Sequence, residues 1–161
     1  MFNQEVLKIN KGECMVLVLS ELHQLRRQKI NSDCTYTRPV ETFNITTEYM
    51  SDDCNPYEIG SGGVIWLNAV GAMGEVEFIY PRAIHKPSIF EAKQNINGTP
   101  LFTLTALEYA KPYIQLFEDG FIIWLQETTD IELEISYGKV SYLISNNVLC
   151  GILAKNPQII E

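Results

Sequence analysis

The feature that most constrains this chain is a series of short apolar segments in residues 113–154, separated at close intervals by turn residues. In the middle segment, Ile131, Leu133 and Ile135 alternate with Glu132 and Glu134. Such alternation is typical of a strand with one buried face and one solvent-exposed face. The turn residues between the segments are Asp119-Gly120, Tyr137-Gly138 and Asn146-Asn147. Together they predict short hairpin connections between consecutive antiparallel strands.

We therefore predict a C-terminal β-meander. Its sequential antiparallel strands would cover residues 113–117, 121–126, 131–136, 140–145 and 148–153. Trp124, Ile135 and Tyr142 occupy apolar positions of neighbouring predicted strands, and we expect them to be buried.

The first hundred residues carry weaker signals of the same kind. Strands are predicted near residues 43–49, 64–67 and 76–80, whereas residues 82–99 have no clear pattern. The apolar run at residues 14–19 suits a strand or the start of a helix, and its β-branched residues favour the strand. Ser20 would then cap a short helix, Glu21–Lys29. The prediction is a mainly β fold, with α+β as a second possibility, in one globular domain over residues 1–161. The architecture would be an antiparallel sheet, a sandwich or a partly open barrel.

The formal net charge of the chain is −8, from 20 acidic and 12 basic residues. A surface with this charge repels phosphate backbones and anionic lipid, so we predict neither nucleic-acid binding nor membrane binding. It suits a basic protein partner, and it also serves plain solubility.

The N-terminus shows neither the basic region nor the apolar run of an export signal. No segment approaches the roughly 20 apolar residues of a membrane-spanning helix. We therefore expect a cytoplasmic protein whose four cysteines are free thiols.

No pattern in the chain indicates catalysis. It has two histidines and no Cys-x-x-Cys pair, and Gly60–Gly63 precedes an apolar strand instead of a phosphate-binding helix. We predict no catalytic residue, no metal ligand and no cofactor, which favours a non-enzymatic protein without deciding the matter.

Two charged groups of residues stand out as candidate contacts. Glu127, Asp130, Glu132 and Glu134 would form an acidic surface for a basic partner, with a merely solvated sheet face as the plainer interpretation. Arg82, His85 and Lys86 follow Tyr80 and could bind an anion, although a solvated loop explains them as well.

The function predicted from these observations is a cytoplasmic protein-binding module. Its concrete form would be an acidic inhibitor or immunity-type protein that covers a basic toxin or nuclease. One alternative is a small-molecule-binding β-domain or enzyme, with a pocket inside the curved sheet lined by residues such as Trp66, Tyr80 and Trp124. Another is a structural subunit that forms a homo-oligomer through an edge strand.

Overall fold

A computed structural model describes residues 13–24, 31–60, 62–108 and 111–161 of the chain. These ranges form two mixed β-sheets and one 3-10 helical turn, Arg38–Val40, and they contain no α-helix. The mainly β prediction is confirmed. The strands are β1 Glu13–Gln24, β2 Ser32–Thr37, β3 Thr42–Thr47, β4 Asn55–Glu58, β5 Gly63–Leu67, β6 Met73–Ile79, β7 Ala83–His85, β8 Ala92–Glu108, β9 Tyr113–Phe117, β10 Gly120–Trp124, β11 Ile131–Tyr137, β12 Val140–Ser145, β13 Val148–Lys155 and β14 Gln158–Ile160.

The two sheets pack face to face around one core. The eight-stranded sheet has the order β1-β8-β11-β12-β13-β10-β9-β7, and the six-stranded sheet has the order β14-β2-β3-β6-β5-β4. Phe43 and Phe78 from the smaller sheet join Phe121 and Ile152 from the larger sheet in a single apolar cluster. The rings of Phe43 and Phe121 meet edge to face, with their centroids 5.1 Å apart, which is a favoured aromatic geometry.

Part of the larger sheet closes on itself. The long strand β8 runs parallel to β11 over its first residues and antiparallel to β1 over the rest. Strand β1 then reaches β13 through one bridge, Val18 opposite Val148, and the Leu19 amide donates to the Asn147 carbonyl at 2.7 Å. The fold thus combines a sandwich with a partly closed barrel.

The predicted C-terminal strands all form, but one predicted pairing is wrong. Strand β9 pairs with β10, β11 with β12 and β12 with β13, as a meander requires. Strands β10 and β11 are not neighbours, because β13 lies between β12 and β10 and bonds to both. The connection 125–130 is longer than a tight hairpin turn, and the Leu125 and Gln126 amides at its start donate to the Cys150 carbonyl of β13, so β10 pairs with β13 instead of β11.

The predicted helix Glu21–Lys29 is wrong where the structure describes it. Strand β1 continues through Ser20 to Gln24, and a register shift between Leu19 and Glu21 keeps it paired with β8. Ser20 Oγ donates to the Leu101 carbonyl of β8 at 3.0 Å and does not cap a helix. The remaining helix residues, 25–29, lie outside the described ranges. Long-range pairing with β8 decides the conformation here, against the weak local preference for a helix.

A second apolar cluster covers the outer face of the larger sheet. Trp124 packs there with Ile122, Leu143 and Leu153, beneath Phe90 of the extended segment 86–91. The buried Gln115 side chain accepts from Trp124 Nε1 at 2.8 Å and donates to the carbonyls of residues 86 and 87. This segment belongs to residues 82–99, which have no clear pattern in the sequence.

Side-chain burial agrees with the sequence. Trp124, Ile135 and Tyr142 are 4%, 0% and 2% exposed, which confirms their predicted core positions. Cys34, Cys54 and Cys150 are buried and free, while Cys14 lies outside the side chains that are described. Burial raises the pKa of the Cys34 thiol to about 12, because the charged thiolate would be poorly solvated.

Candidate functional site: an acidic sheet face

The outer surface of the six-stranded sheet presents acidic residues around a tryptophan. In β5 and β6 the buried residues alternate with half-buried ones, so Trp66, Glu75 and Glu77 point away from the core. Glu58 on β4 and Asp33 on β2 lie on the same surface by their pairing. We call Asp33, Glu58, Trp66, Glu75 and Glu77 the acidic face.

The strand register arranges these residues in two rows across the sheet. In the first row, Asp33 is opposite Thr46, Thr46 opposite Glu75, and Glu75 opposite Trp66, which ends against Pro56 of the edge strand. The second row crosses the same strands in the order Thr35, Asn44, Glu77, Val64 and Glu58. With strands about 4.8 Å apart, each row is about 19 Å long.

Polar neighbours hold the two central carboxylates in place. Asn44 Nδ2 donates to Glu75 Oε1 at 2.9 Å and lies 3.4 Å from Glu77 Oε2. Thr46 Oγ1 donates to Asn44 Oδ1 at 2.9 Å, which fixes the orientation of the amide. A single amide group thus reaches both glutamates, which keeps the two negative charges close together on the sheet.

Within the described ranges, none of the four carboxylates of the acidic face takes part in an ion pair. Like charges at adjacent positions of a sheet repel each other, so this arrangement does not help folding. The face thus combines oriented negative charge with an aromatic side chain, and nothing described in the chain neutralises it.

The four acidic residues predicted as the partner site lie elsewhere, and each has a neighbour within the protein. Asp130 forms an ion pair with Lys93 at 3.1 Å, and Glu132 Oε2 accepts from the Asn146 amide at 3.3 Å. Partial burial raises the pKa of the Tyr113 hydroxyl, and a hydrogen bond with Glu127 raises it further.

Glu134 departs furthest from the expectation that it points to solvent. Its side chain is only 17% exposed, accepts from Ser141 Oγ at 2.8 Å and lies 3.9 Å from Lys155 Nζ. Strand β11 is an inner strand between β8 and β12, so neighbouring side chains close over it. Internal contacts thus occupy Glu134, whereas the Asp130–Lys93 pair is exposed and weak, and the role of residues 127–134 in binding stays a prediction.

Sequence reasoning missed Asp33, Glu58, Glu75 and Glu77, and it assigned Trp66 to an internal pocket instead of this face. The alternation of Glu75 and Glu77 with Val76 and Phe78 is the same signal that drew attention to Glu132 and Glu134. What separates the two groups is their surroundings, which depend on pairings between distant strands.

The three aromatic residues expected to line an internal pocket do not converge. Trp66 lies on the acidic face, Tyr80 is 62% exposed, and Trp124 is buried under segment 86–91. The space between the sheets holds the apolar core instead.

The part of the chain that is described holds no cluster of three histidine, cysteine or acidic side chains arranged to bind a metal ion. It also contains no helix of the length and apolarity needed to cross a bilayer. No family model matches the chain, and no curated protein is significantly similar to it in sequence.

Proposed function

We propose that this protein is a protein-binding module that docks a basic partner on the acidic face. Its concrete form is an acidic inhibitor or immunity-type protein that acts in the cytoplasm and covers a basic toxin or nuclease. The observation that carries the proposal is the absence of any ion pair at Asp33, Glu58, Glu75 and Glu77 within the described ranges.

Charge explains why a basic partner fits this surface. Lysine and arginine side chains of a partner would relieve the repulsion among the carboxylates, and the net charge of −8 would attract such a partner from a distance. Arginine is especially suited, because its guanidinium group bridges carboxylate oxygens through several donors. Asn44 already orients Glu75 and Glu77, so little side-chain ordering remains to be paid on binding.

Trp66 gives the same surface an apolar anchor. It lies beside Glu75 in the first row, so a cation bound to that carboxylate would lie near the indole ring. Tryptophan and arginine are the residue types that most often dominate the energy of protein interfaces. Two identical copies would bring like charges together, which disfavours self-association through the acidic face.

Affinity capture from source-cell extract tests the proposal with three baits. They are the wild-type protein, Glu75→Gln with Glu77→Gln, and Glu132→Gln with Glu134→Gln. Both double variants lose two negative charges, so they differ only in which surface is neutralised. We expect the first and third baits to retain a basic protein at low salt and to release it at high salt. The second bait should retain much less of this protein. Equal retention on all three baits would exclude the acidic face as the docking surface.

A further inference from the structure

A groove of about 890 Å³ lies at the side of the sandwich where the two sheets end. His85 of edge strand β7 and Ile159 of edge strand β14 both line it, so it opens between the outermost strands of the two sheets. Its walls are largely aromatic and aliphatic, with Tyr36, Phe117 and Phe121 among them. The volume and the apolar walls are typical of small-molecule sites.

Three cationic or titratable basic side chains are among the residues that line this groove. Arg38 comes from the 3-10 turn, and His85 and Lys86 come from β7 and the residue that follows it. The sequence had singled out His85 and Lys86 with Arg82 as a possible anion site. Arg82 is not part of the groove, because its guanidinium group lies over the Tyr113 ring, 5.0 Å from the centroid.

Three acidic groups lie near these basic side chains. Glu118 and Asp119 line the groove from the turn that joins β9 to β10. Arg38 Nη1 pairs with Glu161 Oε1 at 3.0 Å, and both side chains are more than half exposed. Exposed ion pairs of this kind are weak, so a bound anion could displace Glu161 from Arg38 at little cost.

We propose that this groove binds a small organic anion, with a flat apolar body against Tyr36, Phe117 and Ile159 and its charged group at Arg38 and Lys86. Apolar contact supplies attraction that does not depend on charge, and the two cations select an anion over a neutral molecule. The groove and its ligand are independent of the acidic face, so the test of this inference is separate from the test of the proposed function.

Two fluorescent probes that differ in one group test the proposal: 8-anilinonaphthalene-1-sulfonate and its uncharged counterpart, N-phenyl-1-naphthylamine. We expect saturable binding of the sulfonate, weakened about tenfold by Arg38→Gln with Lys86→Gln, because two charge-assisted contacts are lost. Arg82→Gln is the matched control and should bind the sulfonate as the wild type does. The uncharged probe should bind all three proteins equally.

A further variant, Glu161→Gln, gives an effect of the opposite sign. It frees Arg38 from its ion pair, so the sulfonate should bind more tightly, by up to about fivefold. Arg38→Lys with Lys86→Arg keeps both charges and should retain most of the affinity, which separates charge loss from misfolding. The proposal is overturned if the sulfonate fails to bind the wild type, or if neutralising Arg38 and Lys86 weakens both probes equally.

Discussion

The two tryptophans of this chain have opposite roles in the structure, and truncating each to alanine measures the difference. Trp124 is 4% exposed and packs with Ile122, Leu143 and Leu153 on the outer side of the larger sheet. Trp66 is half-buried on the acidic face of the smaller sheet. We expect Trp124→Ala to be severely destabilising and Trp66→Ala to be much less so.

The size of the first effect follows from what the indole of Trp124 contacts. Removing a buried tryptophan side chain costs about 3–5 kcal/mol through lost apolar burial and the cavity left behind. The substitution also removes the donor to Gln115 Oε1, while Gln115 Nε2 stays bonded to the carbonyls of residues 86 and 87. Because Gln115 cannot reorient without breaking those bonds, we place Trp124→Ala near the upper end of the range, at about 5 kcal/mol.

Trp124→Phe and Trp66→Ala are the matched variants. Phenylalanine keeps most of the apolar contact but leaves Gln115 Oε1 without its donor, so we expect a loss of about 1–3 kcal/mol. Trp66→Ala removes two cross-strand contacts, one with Glu75 and one with Pro56, and each is worth about 0.2–1 kcal/mol. Free energies of unfolding from urea titrations, followed by circular dichroism, measure all three. A loss below about 1 kcal/mol for Trp124→Ala, or a larger loss for Trp66→Ala than for Trp124→Ala, would refute this description of the two sites.

Four further predictions concern the cysteines and a buried glycine. Thiol titration of the unreduced, denatured protein should find all four cysteines reactive, and a lower count would show a disulfide that the fold does not need. In the native protein Cys34 should resist alkylation far longer than after unfolding, because it is 3% exposed and its pKa is raised; reaction at equal rates would contradict this. Since the folded protein holds the Cys34 proton more tightly than the unfolded chain does, the contribution of this thiol to stability should be constant below about pH 8 and fall as pH rises from about 9 towards 12. The free energy of unfolding should fall by about 1.4 kcal/mol per pH unit for each such thiol. In urea titrations across that window Cys34→Ala should reduce this slope, and an unchanged slope would exclude this thiol as the cause. Gly63→Ala would place a methyl group against the Phe78 ring, so we expect the free energy of unfolding in urea to fall by about 1–3 kcal/mol. A stability equal to that of the wild type would show that the Phe78 ring can move to make room for the methyl group.

The C-terminal strands β9 to β13 could be predicted from the sequence because their signals are local. The Asn146-Asn147 turn illustrates this, since both residues adopt positive φ, 51° and 63°, as a two-residue hairpin turn requires. The conformation of residues 20–24 could not be predicted, because it depends on pairing with β8, about 80 residues further along the chain. The separation of β10 from β11 has the same origin, since it depends on where β13 inserts.

The acidic residues show the same limit at the level of function. Alternation predicts which glutamates leave the core, and it does so equally for Glu75 and for Glu134. Only the folded chain brings Lys155 near Glu134, and only the folded chain places Asn44 between Glu75 and Glu77. A surface available to a partner is therefore defined by distant neighbours, which composition and periodicity do not reveal.

The most direct test of the acidic face is the association rate of the captured basic protein, measured at several ionic strengths. The wild type and Glu132→Gln with Glu134→Gln should bind rapidly, with rates that fall steeply as salt increases, because long-range attraction steers the encounter. Glu75→Gln with Glu77→Gln should bind more slowly and with a flatter salt dependence, although its net charge equals that of the other double variant. If the two double variants show the same rates and the same salt dependence, only the total charge of the protein matters and the acidic face is not the docking surface.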